Sequence, residues 1–385
     1  MADDLPIIII GSGLAGYNVA REFRKLNTNT GLIIIADDAA EFYSKPMLSN
    51  ALAKNKMAHE LAIADAEKMA NDLNATVLKH TRVDKIEPDN QVIHTHKNET
   101  IKYSQLVLAL GASSIILPIR GNATDKILTV NDLASYASFR NAIEDKKRVA
   151  IIGAGLIGCE FANDLVLSDY EVSVIDIADL PLNRFLPLQA GEYLKTTLKM
   201  QGVNWHLGQG TKEINYHDQV FKIDLENGTQ LEADIVLSAV GLRPNIKIAE
   251  AAGIEVNKGI VVNQQLETNH KGVFALGDCA EVESLFLPFV MPLMNSARAL
   301  AKSLNGEKTA VSYPAMPVIV KTPSCPVVAA PPSMDIKGEW AVEENEEGVH
   351  ASYLDQTGKL QGFALVGKAV EDKQRLTKEL PVVLV

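Results

Sequence analysis

Three glycines, Gly11, Gly13 and Gly16, stand between an apolar run at residues 6–10 and a stretch of helical periodicity at residues 17–26. In that order they carry a chemistry. Gly11 permits a tight turn, Gly13 lets bare backbone approach a pyrophosphate, Gly16 lets helix and strand pack closely, and the helix N-terminus faces the negative charge. Ser12, Leu14 and Ala15 complete the cradle. An acid ending the next strand, residues 32–36, would bind ribose hydroxyls, and Asp37 or Asp38 lies about 20 residues on. Alone, such a glycine pattern also describes a chance turn. It recurs, however, roughly 140 residues later: Gly153, Gly155 and Gly158 follow a strand at 148–152, with Leu156 and Ile157 inside the turn, a helix at 159–168 and Asp176 ending the strand at 171–175. No Arg or Lys occurs in Ile177-Ala178-Asp179, so the Asp176 carboxylate favours a free 2′-hydroxyl and repels a 2′-phosphate, which predicts NADH over NADPH. Two dinucleotide folds in one chain are the specific signal.

A third motif runs from Thr268 through Gly277 and Asp278 to Ala280: a short strand enters a Gly-Asp turn, where a carboxylate can accept a polyol hydroxyl. The bland alternative is a solvated turn aspartate.

These sites need elements to hold them, and the pattern predicts an α/β chain. It comprises two Rossmann-like three-layer domains, each with a small antiparallel excursion (82–93 with 100–110, and 221–227 with 230–240), plus a small α+β C-terminal domain in which proline punctuates edge strands from Ala310 onward. The net charge of −11 argues against general nucleic-acid binding. No apolar stretch approaches the roughly 20 residues that span a bilayer, and Asp3 and Asp4 stand where a signal peptide needs basic residues, so no membrane association and a cytoplasmic location are expected. Cys159, Cys279 and Cys325 are far apart and odd in number, which speaks against disulfides and a metal cage, and predicts apolar filler.

Taken together, the two glycine turns, Thr268–Ala280 and Ala239-Val240-Gly241-Leu242-Arg243-Pro244-Asn245 resemble the flavoproteins with two dinucleotide-binding domains. The resemblance covers nearly the whole chain. It implies FAD on the first fold and NAD(H) on the second, with residues 1–112 and 240–309 forming the FAD-binding domain, 113–239 the NAD-binding domain and 310–385 the C-terminal domain. It implies that Asp278 binds the FAD ribityl chain or pyrophosphate, and adds Val83, Ala109, Gly111, Gly241 and Gly277 to the cofactor contacts. Asn50 occupies the spot where disulfide- and peroxide-reducing members carry a redox cysteine. The preceding Lys45-Pro46-Met47-Leu48-Ser49 is instead similar to reductases serving iron-sulfur or rubredoxin proteins.

Two later stretches, 288–299 with Val290 and Pro292 and 317–326 with Lys321, resemble the branch that reduces rubredoxins for alkane hydroxylation. By that similarity Lys45 and Pro46 lie beside the flavin, Lys321 pairs with the reduced flavin, and Glu160 stands near the nicotinamide; Glu160, Lys45 and Lys321 are the residues expected to act in the chemistry. The alternatives are a solvated Lys45, a Glu160 that complements the helix dipole, and a run at 286–294 that is plain core. The implied partner is an acidic rubredoxin, docking on a local basic surface of Lys45, Lys54, Lys56 and Lys321, with the protein a monomer or homodimer. A ferredoxin reductase of an oxygenase system is the alternative; an NADH oxidase is disfavoured by Asn50.

Overall fold

The computed structural model describes residues 5–385; Asp3 and Asp4 lie outside them. The strand Ile7–Ile10 is four isoleucines, all buried, as a strand covered on both faces of a parallel sheet requires. It pairs in parallel with Leu32–Ile35 on one side and Gln105–Leu108 on the other. Thr76–Leu78 and Val273–Ala275 complete a five-stranded parallel sheet. The outermost strand, Val273–Ala275, thus comes from chain that returns after a second fold has been built. That second fold is a parallel sheet in the order Val203–Leu207, Glu171–Asp176, Arg148–Ile152, Ile235–Ser238. In each sheet the first strand sits where the strand order reverses, the crevice in which open α/β sheets bind ligands. The two crossings between the folds run side by side, Ala112–Ser114 pairing antiparallel with Leu242–Pro244.

The excursions differ from expectation in one instructive way. Residues 82–93 form a hairpin, Val83–Glu87 with Val92–Thr95. Residues 100–110 split into Thr100–Lys102, which joins that hairpin, and Gln105–Leu108, which joins the central sheet. The run 230–240 divides likewise into Gln230–Ala233 and Ile235–Ser238. Neither break carries Gly or Pro, so the apolar pattern reads as continuous. What breaks the second run is Asp234: its carboxylate accepts the N–H groups of Lys147 at 3.1 Å and Arg148 at 2.9 Å, and the Arg148 guanidinium at 2.8 Å. Burial pushes the Asp234 pKa up, but those bonds more than offset it and hold it at about 2. A depressed carboxylate contributes stability above its unfolded pKa of about 3.9, and loses it as pH falls toward 2. Asp234→Asn should therefore lower the urea midpoint at pH 7, and the gap to wild type should narrow as the pH drops from about 4 toward 2; a gap independent of pH would contradict the latch.

The C-terminal unit is an antiparallel sheet in the order Val318–Val320, Val327–Ala330, Leu360–Gly367, Gly348–Asp355, Gly338–Asn345, followed by the helix Lys373–Glu379. The proline-flanked strand Val318–Val320 lies at its edge, where a missing N–H costs least. Both ends of this stretch return to the first fold: Val311 and Tyr313 belong to its core, Leu384 packs against it, and Tyr313 N–H donates to Leu384 O at 2.8 Å. All three cysteines are buried, and burial raises the thiols, Cys279 to about 12 and Cys325 to about 11. Among the described residues no helix is long and apolar enough to cross a membrane.

Candidate functional site

The two glycine turns are built alike. Gly11 has φ +114° and Gly153 φ +110°, and a Cβ on either would meet a neighbouring carbonyl oxygen, that of Ala109 at 2.1 Å or Ala239 at 2.6 Å. Gly16 and Gly158 let their helices close onto those turns, each with a carbonyl oxygen 1.9 Å from where a Cβ would stand. Gly13 and Gly155 are different, because nothing lies within 4 Å of a Cβ at either. Each is the N-cap of its helix, Leu14–Arg24 or Leu156–Val166, and neither helix has a side-chain cap or an acid in its first turn. Two sets of uncapped amides thus face open space, the arrangement that accepts a phosphate.

The first turn opens into a cleft of about 1440 Å³ where all three units meet. From the first fold its wall receives Gly11, Ser12, Gly13, Leu14 and Ala15, then Asp37, Lys45, Pro46, Val83, Ala109 and Gly111. The second fold supplies Leu156, Ile157 and Glu160; the returning chain Asp278, Val290 and Pro292; the C-terminal unit Lys321. Both acids considered for the first ribose line the cleft: Asp38 accepts Ala40 N–H at 2.9 Å and the Ser12 hydroxyl at 3.4 Å through one oxygen, and Asp37 stands beside it at the rim. Gly16 and Gly277 stand behind the wall; a Cβ on Gly277 would press on Ala15 at 2.9 Å. Gly153, Gly155, Gly158, Asp176 and Gly241 lie outside this cleft. Asp176 spends both carboxylate oxygens on backbone, Ala154 N–H at 2.5 Å and Ala178 N–H at 2.7 Å, so it shapes the second glycine turn as well as charging its rim.

Inside the cleft, burial lowers the Lys45 pKa against the pull of Asp278 and Asp132, and burial raises that of Asp278 against the pull of Lys45. A half-buried cation and carboxylate facing one cleft offer charge to an anion and an acceptor to hydroxyls. Both side chains are only partly exposed in the cleft wall and neither is a freely solvated turn residue.

Glu160 and Lys321 are paired with each other. Glu160 is 1% exposed and does not serve the helix dipole: one oxygen accepts the Lys321 N–H at 2.9 Å, the other the Ser49 hydroxyl at 2.5 Å and the Lys321 ammonium. The Lys321 ammonium, expected to partner the reduced flavin, stands in the cleft wall and is held there by Glu160 and by Ser49 Oγ at 3.2 Å. One residue from each unit meets in this cluster. Asn50, the position that the sequence resemblance compares with a redox cysteine, donates through Nδ2 to Lys321 O at 2.9 Å and ties the chain just after Val318–Val320 to the first fold. Ser49 was not singled out from sequence, although the Lys-Pro-x-Leu-Ser run contains it.

The four lysines expected to form a basic docking surface take different places. Lys321 is internal to the cluster, Lys45 lies inside the cleft, and Lys56 pairs with Glu60 at 3.7 Å; of the four only Lys54 remains on the surface without an ion pair among the described residues. The cleft mouth is mixed: Ile319 is 55% and Met291 51% exposed, alongside Val290, and the exposed Arg82, Arg243 and Lys247 also line it. The run 286–294 is thus partly core and partly cleft wall.

Residues 5–301 match the family described as pyridine nucleotide-disulphide oxidoreductase, and residues 310–380 match a family described as rubredoxin binding C-terminal domain. The chain is 47% identical to the rubredoxin-NAD(+) reductase of Acinetobacter baylyi, covering 97% of this chain and 96% of that one. To the rubredoxin-NAD(+) reductase of Alcanivorax borkumensis it is 45% identical, over 98% and 99%. Among solved structures it superimposes on a ferredoxin reductase from Rhodopseudomonas palustris with a TM-score of 0.88 and 27% identity, over 98% and 96%.

Proposed function

The chain belongs to the pyridine nucleotide-disulphide oxidoreductase family, and from that premise we propose that it carries reducing equivalents from NADH through bound FAD to a rubredoxin. One observation carries the reading: the C-terminal sheet, in the region matched as rubredoxin binding, puts Ile319 and Lys321 into the wall of the same cleft that the first glycine turn enters. Bound FAD would supply the redox chemistry, taking a hydride from a nicotinamide and giving up electrons singly. The protein's residues do the rest. The amides beyond Gly13 hold the FAD pyrophosphate, Asp37 its ribose, and Lys45 and Asp278 the polar chain. The amides beyond Gly155 hold the NADH pyrophosphate, and the Asp176 carboxylate at that rim disfavours a 2′-phosphate. Glu160, fixed by Lys321 and Ser49, presents a buried, compensated carboxylate where the three units converge.

A ferredoxin is the second possible acceptor, and the match of residues 310–380 favours rubredoxin. An alkane hydroxylase as the final consumer rests on the sequence resemblance alone. The purified protein should reduce a rubredoxin with NADH faster than a plant-type ferredoxin; the reverse order would assign it to an oxygenase ferredoxin. Docking at this mouth has its own consequence. Ile319→Glu places a carboxylate against an acidic partner, and like charges across an interface cost several kcal/mol, so rubredoxin reduction should fall by about tenfold or more. Ferricyanide, which needs no docking surface, should be reduced as before; an equal loss with both acceptors would move the exit elsewhere.

A further inference from the structure

Glu160, Asn163 and Asp164 lie at i, i+3 and i+4 on the helix Leu156–Val166, hence on one face. All three are buried, at 1%, 0% and 3% exposure. A polar stripe inside a helix is costly unless every atom is bonded, and each of these is bonded to chain outside its own fold. Asp164 accepts Leu52 N–H at 2.9 Å and Ala53 N–H at 3.0 Å. Asn163 exchanges two bonds with Ser324, its Nδ2 donating to Oγ at 2.9 Å and its Oδ1 accepting the N–H at 3.1 Å. Glu160 takes Ser49 from the first of these segments and Lys321 from the second.

Two short segments are therefore each held at both ends by one helix: 49–53 by Glu160 and Asp164, 321–324 by Glu160 and Asn163. The Asn50 to Lys321 bond ties the segments to each other. Apolar packing agrees, because Leu48, Ala51 and Leu52 belong to the core of the second fold together with Val320 and Cys325.

We infer that Asn163 and Asp164 are positioning residues, which hold Ser49 and Lys321 in register on the Glu160 carboxylate and keep the NAD-binding helix docked on both neighbours during turnover. The inference rests on the proposed function for its catalytic consequence, though not for the clamp. Asp164 is not among the residues that line the cleft, and acts through where it puts residues 49–53. A side chain displaced by an ångström is enough to cost a large factor in rate.

The test is a double-mutant cycle with a structural arm. Asp164→Asn keeps the shape, retains one acceptor and turns an NH2 toward the other backbone N–H. It should slow flavin reduction by NADH in stopped flow by about tenfold with the NADH dissociation constant unchanged. Combined with Glu160→Gln it should slow reduction no further than Glu160→Gln alone, since both act through one cluster. Amide hydrogen exchange should rise in both 49–53 and 321–324, although only the first touches Asp164. Asn163→Ala, which breaks the clamp from the other side, should give the same pattern and serves if Asp164→Asn folds poorly. Additive rate losses, or faster exchange confined to Leu52 and Ala53 with the reduction rate unaltered, would reduce Asp164 to a local cap and overturn the inference. The exchange arm needs no cofactor, so a protein that lacks FAD would sink the functional reading and still report on the clamp.

Discussion

Gly13→Asp should give a folded protein that purifies without FAD, while Gly155→Asp should give a yellow protein that NADH no longer bleaches and dithionite still does. Both positions are N-caps with extended backbone, φ −68° and −74°, and open space where a side chain would go. Aspartate is among the preferred N-cap residues, so each variant should be as stable as its parent or somewhat more so. The new carboxylate would satisfy the amides that otherwise receive a phosphate, and would stand against that phosphate. Two like charges about 4 Å apart at an effective dielectric near 20 repel by about 4 kcal/mol, about a thousandfold in affinity. Because the cradles belong to different sheets, the losses should separate cleanly. Should Gly13→Asp retain its flavin while Gly155→Asp loses it, the two folds have been assigned the wrong way round.

The second large effect is expected at Lys321. Lys321→Met removes the ammonium from a carboxylate that is 1% exposed, and breaking a buried pair from one side typically costs about 3–5 kcal/mol, because a charge remains without its partner. Urea unfolding should show that loss. Replacing both charges, with Glu160→Gln and Lys321→Met together, should restore most of the stability, since a neutral pair of similar volume leaves no buried charge behind. Flavin reduction should stay slow in the double variant, separating what the pair does for the fold from what it does for the site. If Lys321→Met is as stable as the parent, the ammonium is solvated and the three-unit junction is not held by charge.

Both glycine turns and their strands were legible because each glycine answers a local steric demand; the strand before Gly277 was legible too, but not its place at the edge of the first sheet, because Val273–Ala275 follows a whole intervening fold. The breaks at Ser104 and Asp234 escaped the apolar pattern, as the chain changes sheets there without turn residues; only the bonds of Asp234 explain the second. Lys45, Glu160, Asp278 and Lys321 were singled out from sequence, and the structure brings all four to one cleft wall. Their partners were not legible. Pairing Lys321 with Glu160 joins residues 161 apart, and the free cation expected at Lys321 ignored an acid whose direction depends on helix phase. Asn163 and Asp164 did leave a trace, three polar residues on one face of an otherwise apolar helix, which marks burial against something polar and does not say what. The four lysines expected at the docking surface divide: Lys45 and Lys321 stand in the cleft wall, Lys54 and Lys56 are exposed, and the exposed lining mixes Met291 and Ile319 with Arg82, Arg243 and Lys247.

The claim on which the rest depends is that one cleft links a flavin to a rubredoxin. It is tested most directly by mixing the anaerobic, NADH-reduced protein with excess oxidised rubredoxin and following both chromophores in a single turnover. The account predicts that the flavin absorbance returns in step with loss of the rubredoxin colour, with about two rubredoxins reduced per flavin. A flavin that stays bleached in the presence of rubredoxin, yet is reoxidised at once by ferricyanide, would contradict it.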